Sequence, residues 1–295
     1  MSITDCLNPL FSLTARACER SPIVSEMIRG INFKGKGRIV ERLRPELMNR
    51  EVVSTCDGLR YQLYLGDDVQ RELYFNIYER RDLRMALDLI PVGGVCIDVG
   101  ANNGAFALQF ARKVGKLGLV HAFEPDPRVF PRLQTNCALN CFQDYMKCHQ
   151  LAVSNSTGRL PFYQSDLGHS GWGSLAEFKD IAVGREYIEA VTMDHFLARE
   201  NIHSVDFLKV DVEAHEPELL EGARDSLLKQ LFRFILIEFN GIRLAQLGKS
   251  LDSYLVPLLG AGYRPLKPLA RELEVIKNDR EAQRLLCTNM LFTAE

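Results

Sequence analysis

Residues 95–104 read Val-Cys-Ile-Asp-Val-Gly-Ala-Asn-Asn-Gly, and AFALQFARKV follows over 105–114. The first five residues are an apolar run broken only by Asp98, the pattern of a short strand buried on both faces. Turn-forming residues come next, and then apolar residues at helical spacing. Strand, glycine turn and helix in succession predict one βα unit of a parallel sheet. The downstream sequence repeats the theme. Strands are expected at LVHAF (119–123), CHQLAVS (148–154), DFLKVDV (206–212) and FRFILIEF (232–239). A helix is expected over RLQTNCALN (132–140), and another with Leu219, Leu220, Ala223, Leu227 and Leu228 on one face. A helix around 251–260 and a β-rich pair near 272–276 and 288–293 close the chain. Right-handed crossovers between such strands give an α/β fold, a mostly parallel sheet with helices on both faces.

Upstream, VVSTCDGLRYQLYL (52–65) places an Asp57-Gly58 turn between two β-rich runs, a hairpin signal. ERRDLRMALDLI (79–90) has helical apolar spacing and stops at Pro91 and the Gly93-Gly94 pair. Residues 1–50 carry nine Lys/Arg against five Asp/Glu and are broken by Gly30, Gly35 and Gly37. They read as a basic extension that caps the acceptor side or recruits an anionic carrier. KGKGR (34–38) lacks the GxxxxGK[ST] pattern and reads as a solvated loop. The expected organisation is therefore 1–50 extension, 51–90 hairpin and helix, and 91–295 core domain.

Composition narrows the function. With 295 residues, 46% hydrophobic and 25% charged, the chain is globular rather than disordered or collagenous. A net charge of −2 argues against a nucleic-acid partner. Eight cysteines at irregular spacing, including Cys137, Cys141 and Cys148, match neither a paired CxxC zinc site nor a CxxC redox motif. They read as free thiols of a cytoplasmic protein. The longest apolar run falls well short of the ~20 residues of a membrane span. Asp5, Arg16, Glu19 and Arg20 also argue against a secretory leader.

A glycine turn at a strand end lets a ligand approach bare backbone, with helix N–H groups facing it. Twenty residues past Gly104, Glu124 ends the second strand, where a carboxylate accepts hydrogen bonds from both hydroxyls of a ribose. The pair implies an adenosine-containing ligand. A dinucleotide fingerprint needs G-x-G-x-x-G, but the third and sixth positions from Gly100 are Asn102 and Ala105. Asp98, two residues before Gly100, is unhelpful to a pyrophosphate and suits a sulfonium cation and an amino group. That favours S-adenosylmethionine over NAD.

IDVGANNG, with HAFEPDP, LAVSN, the segment 191–223 and LIEFNG (236–241), resembles the FkbM-type methyltransferases in order and spacing over about residues 75–295. VDVEAHE looks like that family's D-V-E-G-H-E signature, with Ala214 in place of glycine. The resemblance implies a class I methyltransferase, Rossmann-like sheet of seven strands. It also implies S-adenosylmethionine-dependent methylation, usually on a hydroxyl oxygen of a sugar, glycan or polyketide-type natural product. The cofactor residues it points to are Glu79, Asp98, Gly100, Ala101, Asn102, Gly104, Glu124, Pro125, Ala152 and Asp211. A nucleic-acid methyltransferase and an NAD-dependent nucleotide-sugar enzyme remain as rivals, and a homo-oligomer is compatible with the sequence.

Methyl transfer to oxygen asks the protein to orient two ligands, exclude water and take up a proton. Asp211 and Glu213 share a face at the end of the fourth strand. His215 follows and is the expected general base, because an ordinary imidazole titrates near neutrality. Glu216 reads as a charge at a helix start, and Glu238 as an acid closing the apolar fifth strand at the ligand edge. These acids suit magnesium, but nothing in their spacing demands a metal, and none is expected. His195 reads as structural. The single tryptophan, Trp172, lies between glycines in a polar loop with His169 and Ser170, as a mobile lid, a substrate-stacking loop or a loop anchor.

Overall fold

The computed structural model describes residues 3–31, 33, 35–44, 48–266 and 287–294, which fall into two compact units. The first comprises residues 1–81 with Asp166–Ser170; the second holds Asp82–Ser165 and the chain from Gly171 onward.

In the first unit, helices occupy Ile3–Arg20 and Pro22–Gly30, the second capped by Ser21 with Pro22 at its first position. β1 (Glu51–Cys56) and β2 (Leu59–Tyr64) form the expected hairpin, with Asp57 and Gly58 both at positive φ. Residues of the basic segment, among them Phe11, Ala15, Cys18, Ile39 and Met48, are buried core. The KGKGR loop is corrected: Lys36 is buried, opens a short helix, and donates from Nζ to the Arg29 carbonyl at 2.7 Å. Its aliphatic stem favours burial once the ammonium has an acceptor. Lys34 lies outside the described residues. Asp67 caps the helix Asp68–Tyr74 through the Gln70 N–H and also accepts from the Ser170 N–H, both at 2.9 Å, which ties Asp166–Ser170 into this unit.

The second unit is the expected α/β core. Its strands are β3 (Val95–Val99), β4 (Leu119–Phe123), β5 (Met146–His149), β6 (Ala152–Val153), β7 (Gly158–Gln164), β8 (Gly184–Val191), β9 (Val205–Val210), β10 (Phe232–Asn240), β11 (Arg264–Pro265) and β12 (Cys287–Thr293). Seven of them form one sheet in the order β11-β12-β10-β9-β3-β4-β5. The five strands from β10 to β5 are parallel, and β12 runs antiparallel between β10 and β11. Parallel strands must be covered on both sides, hence the continuous apolar runs of β3, β9 and β10. Ile97, Phe207, Leu208, Ile235 and Leu236 are completely buried.

Two local expectations are corrected. CHQLAVS is two strands: β5 is the sheet edge, and β6 leaves it for a small sheet of order β6-β8-β7. The 219–228 helix is broken into Glu216–Gly222 and Arg224–Leu228. The break falls at Ala223, just past Gly222, where a Cβ would lie 2.0 Å from the Ser154 carbonyl oxygen, so glycine is needed for close backbone approach at the helix end. β12 pairs with β10 and β11, and the expected 272–276 strand lies outside the described residues. Among the described residues no helix is long and apolar enough to cross a membrane.

Candidate functional site

Within the parallel part of the sheet, chain order reverses between β3 and β9. Helices leave these neighbours toward opposite faces, so a crevice opens at their carboxyl ends. The glycine turn after β3 and the 211–216 loop after β9 meet there.

Gly100 has φ +81°, and a Cβ on it would lie 1.7 Å from the carbonyl oxygen of Asp211. Glycine is required here because the two loops nearly touch, which is a packing reason rather than a ligand reason. Gly100 and Ala101 both donate to the Phe123 carbonyl, and Asn102 is held left-handed at φ +49°. The Asn136 side chain donates to the Asn103 carbonyl at 2.8 Å and Gly104 has φ +92°, so the turn is fixed from both ends. Glu124 is buried, and each of its carboxylate oxygens accepts one backbone N–H, from Asn102 at 2.9 Å and Asp126 at 2.8 Å. Burial pushes its carboxyl up to about 8 in spite of those donors. Pro125 is half-buried beside it, and Ala152 is buried in β6. Glu79 belongs to the first unit, where its φ is +35°.

Asp98 is 1% exposed and stands in register with Lys209 of β9. Lys209, itself buried, reaches Asp98 Oδ1 at 3.9 Å and Asp211 Oδ2 at 2.9 Å, with its Nζ 4.9 Å from the Phe106 ring centre. Neither Asp98 oxygen has a well-formed hydrogen bond, the Ala107 N–H approaching only loosely. Burial raises this carboxyl to about 6, with Lys209 opposing the rise. The sequence reading missed Lys209. The available signal was a lone charged residue in an apolar strand, two residues before Asp211 and so on the same face.

Asp211, Glu213 and Glu238 bring carboxylate oxygens within 4.8 Å of one another. Asp211 is paired with Lys209, and Glu213 with Arg243, whose Nε lies 3.1 Å from Glu213 Oε2. Glu238 closes β10, its Oε1 3.7 Å from the Cys287 thiol. Among the described residues, its buried Oε2 has no hydrogen-bond partner. Burial, and then the charges of Asp211 and Glu213, raise the Glu238 carboxyl well above its usual range. Arg243 also escaped the sequence reading. It enters through the helix Gly241–Gln246, capped by the Asn240 side chain on the Arg243 N–H at 3.2 Å.

The loop before the helix is strained. Glu213 and Ala214 have φ +56° and +67°, so alanine occupies the left-handed position where the signature has glycine, at a cost of about 1–2 kcal/mol. Two anchors hold it there: Ser174 Oγ donates to the Glu213 carbonyl at 2.8 Å, and Glu216 Oε1 accepts the Val212 N–H at 2.9 Å. Glu216 does open the helix, as expected, but its carboxyl does more than face the helix dipole. It is fully buried, also accepts the Tyr254 hydroxyl at 2.6 Å, and is raised to about 7 by burial.

The near-neutral basicity expected of His215 is likewise corrected. Its Nε2 is 2.8 Å from Ser154 Oγ and its Nδ1 3.7 Å from Glu218, which Lys249 already neutralises. Burial lowers the imidazole to about 4, so it is neutral and hydrogen-bonded into the β6 end. His195 is an exposed helix residue, and His169 pairs with Asp166 in the first unit. Trp172 lies in the second unit, with Arg243 Cζ 5.4 Å from its ring centre.

Residues 98–265, more than half of the chain, match the model of the methyltransferase FkbM domain. The 31-O-demethyl-FK506 methyltransferase FkbM of Streptomyces tacrolimicus is 32% identical over 182 residues, 52% of this chain and 68% of that protein. The 2-O-methyltransferase NoeI of Sinorhizobium fredii is 28% identical over 159 residues, covering 50% of this chain and 63% of its own. The hexuronic acid methyltransferase AglP of Haloferax volcanii is 28% identical over 171 residues, 56% of this chain and 66% of that protein. The match begins at Asp98, takes in the glycine turn and Glu124, and runs through the β9 loop and Glu238 into β11. On that footing the chain belongs to the FkbM methyltransferase family.

Proposed function

We propose that the protein transfers a methyl group from S-adenosylmethionine to a hydroxyl oxygen of a sugar, glycan or natural-product acceptor. One observation carries the reading: at the topological switch point a glycine turn bracketed by Asp98 and Glu124 abuts three converging carboxylates. The residues suit the cofactor. Gly100, Ala101, Asn102 and Gly104 offer bare backbone, and each Glu124 oxygen keeps a lone pair for a ribose hydroxyl. Asp98 presents buried oxygens lacking well-formed hydrogen bonds, suited to a cationic amino acid moiety. Pro125, Ala152 and Asp211 are assigned to the cofactor side.

When bound, S-adenosylmethionine supplies an electrophilic methyl on a sulfonium. The protein then orients the acceptor hydroxyl and removes its proton. Glu238 is assigned the proton acceptor in place of His215, because among the three carboxylates Asp211 and Glu213 are already held by cations. Its raised proton affinity makes it a stronger base than an ordinary carboxylate. Asp211 and Glu213 hold the acceptor with Lys209 and Arg243 behind them. Two of the three acids being so compensated, magnesium is assigned no role, and EDTA should leave turnover unchanged.

Calorimetry with S-adenosylhomocysteine and NAD tests the cofactor. Saturable binding of the first and not the second is expected, and the reverse sinks the methyltransferase reading. Mass spectrometry of a glycan and natural-product acceptor panel should show a gain of one methyl on oxygen.

A further inference from the structure

Beside the carboxylates lies a cluster that methyl transfer itself does not use. Arg243 is 8% exposed, and its Cζ is 5.4 Å from the Trp172 ring centre and 4.8 Å from that of Phe178. Its Nε is spent on Glu213, while its buried Nη1 has no hydrogen-bond partner among the described residues. Trp172 is 38% exposed, and Ser174, two residues on, pins its loop to the Glu213 carbonyl. The Trp172 loop is therefore anchored at the site rather than swinging free over it. A buried guanidinium N–H without a partner is costly unless something else supplies the acceptor.

We infer that Trp172, Arg243 and Glu213 form the acceptor subsite, and that it takes an uncharged, hydroxyl-bearing sugar ring. This rests on the methyltransferase reading above and adds the class of acceptor. An indole face is electron-rich and attracts the polarised C–H groups on the apolar face of a pyranose. The unpartnered Nη1 donates to a ring hydroxyl, and Glu238 Oε2 accepts from the hydroxyl to be methylated. Charge decides between neutral and anionic sugars. Asp98, Asp211, Glu213 and Glu238 outnumber Lys209 and Arg243, so a carboxylate or phosphate on the acceptor meets excess negative charge. Both cations are already paired, Lys209 with Asp211 and Arg243 with Glu213.

Because the chain has a single tryptophan, its emission reports on this subsite alone. The full-length protein, saturated with S-adenosylhomocysteine, is titrated with the methyl α-pyranosides of glucose, mannose and galactose. Parallel titrations use glucuronate and the sugar-free alcohol cyclohexanol. At least one neutral pyranoside should shift the Trp172 emission saturably below about 50 mM, a range that covers weak millimolar binding. Arg243→Lys keeps a cation beside Glu213 but loses the Nη1 donor, and should weaken that titration about tenfold while circular dichroism stays native. Silence from all three pyranosides, tighter binding of glucuronate or cyclohexanol, or an unaltered Arg243→Lys titration each overturns the subsite. If S-adenosylhomocysteine does not bind, the methyltransferase reading fails instead, and the same titrations on the protein alone still judge the subsite.

Discussion

Replacing Gly100 by alanine should cost far more than replacing Gly104, although both glycines are left-handed. At Gly100 the new Cβ would sit 1.7 Å from the Asp211 carbonyl oxygen, about half of an ordinary C···O contact of ~3.3 Å. Backbone cannot rotate away, so the carboxyl ends of β3 and β9 must part, breaking the 3.0 Å bond from the Asp211 N–H to the Val99 carbonyl. The left-handed conformation adds about 1–2 kcal/mol and the lost bond about 1–3 kcal/mol, or roughly 3–4 kcal/mol together. At about 2–4 °C per kcal/mol, the melting temperature should fall by roughly 10 °C. At Gly104 the Cβ would meet the ends of the Leu108 and Leu133 side chains, 2.1 and 3.0 Å away, which rotate. That variant should lose only about 1–2 kcal/mol, mostly from the backbone. Thermal melts by circular dichroism compare the two, and calorimetry with S-adenosylhomocysteine should show more than tenfold weaker binding to Gly100→Ala. A Gly100→Ala protein melting within about 2 °C of wild type would refute close loop approach as the reason for the glycine.

Three further outcomes follow from the buried groups. Glu124 and Glu216 titrate at about 8 and 7 in the fold and near 4.5 unfolded, so folding retains protons that are lost as pH rises through the folded values. The ligand-free protein should thus lose about 1–2 kcal/mol between pH 7 and 9 in urea unfolding, with most of that slope absent in Glu124→Gln. Glu238→Gln should lower kcat ~10²–10⁴-fold with S-adenosylhomocysteine affinity kept within a few-fold, and equal kcat would move the proton acceptor elsewhere. His215→Ala should leave the pH–rate profile between pH 6 and 7.5 unchanged while costing about 1–3 kcal/mol of stability, since Ser154 loses its partner. Disappearance of a limb in that range would return the base role to His215.

Much of the fold was legible locally. The strands β3, β4, β9 and β10, the glycine turn and the hairpin each carry their own apolar period or turn residues, and a local pattern survives whatever packs on it. Asp98, Glu124, Asp211, Glu213 and Glu238 were legible too, because acids at the ends of apolar parallel strands point to the ligand edge. Partnership was not. That Asp98 shares Lys209 with Asp211 and that Arg243 rather than solvent faces Glu213 depend on strands and helices far apart in sequence, and Glu216 meets the Val212 N–H only because the strained loop folds back on itself. Burial decided the protonation of His215: the residue type alone suggests a base near pH 6.5, and desolvation beside Ser154 brings it to about 4. Ala214 is the sharpest case. Residue preference argues against a left-handed turn there, and only the anchors from Ser174 and Glu216 keep it. Sequence by itself determined which segments become strands and which acids stand at their ends, because those follow from nearest-neighbour periodicity. Tertiary structure alone decided which acids are neutralised and which keeps an unpartnered oxygen, because charge pairing and desolvation are properties of three-dimensional proximity.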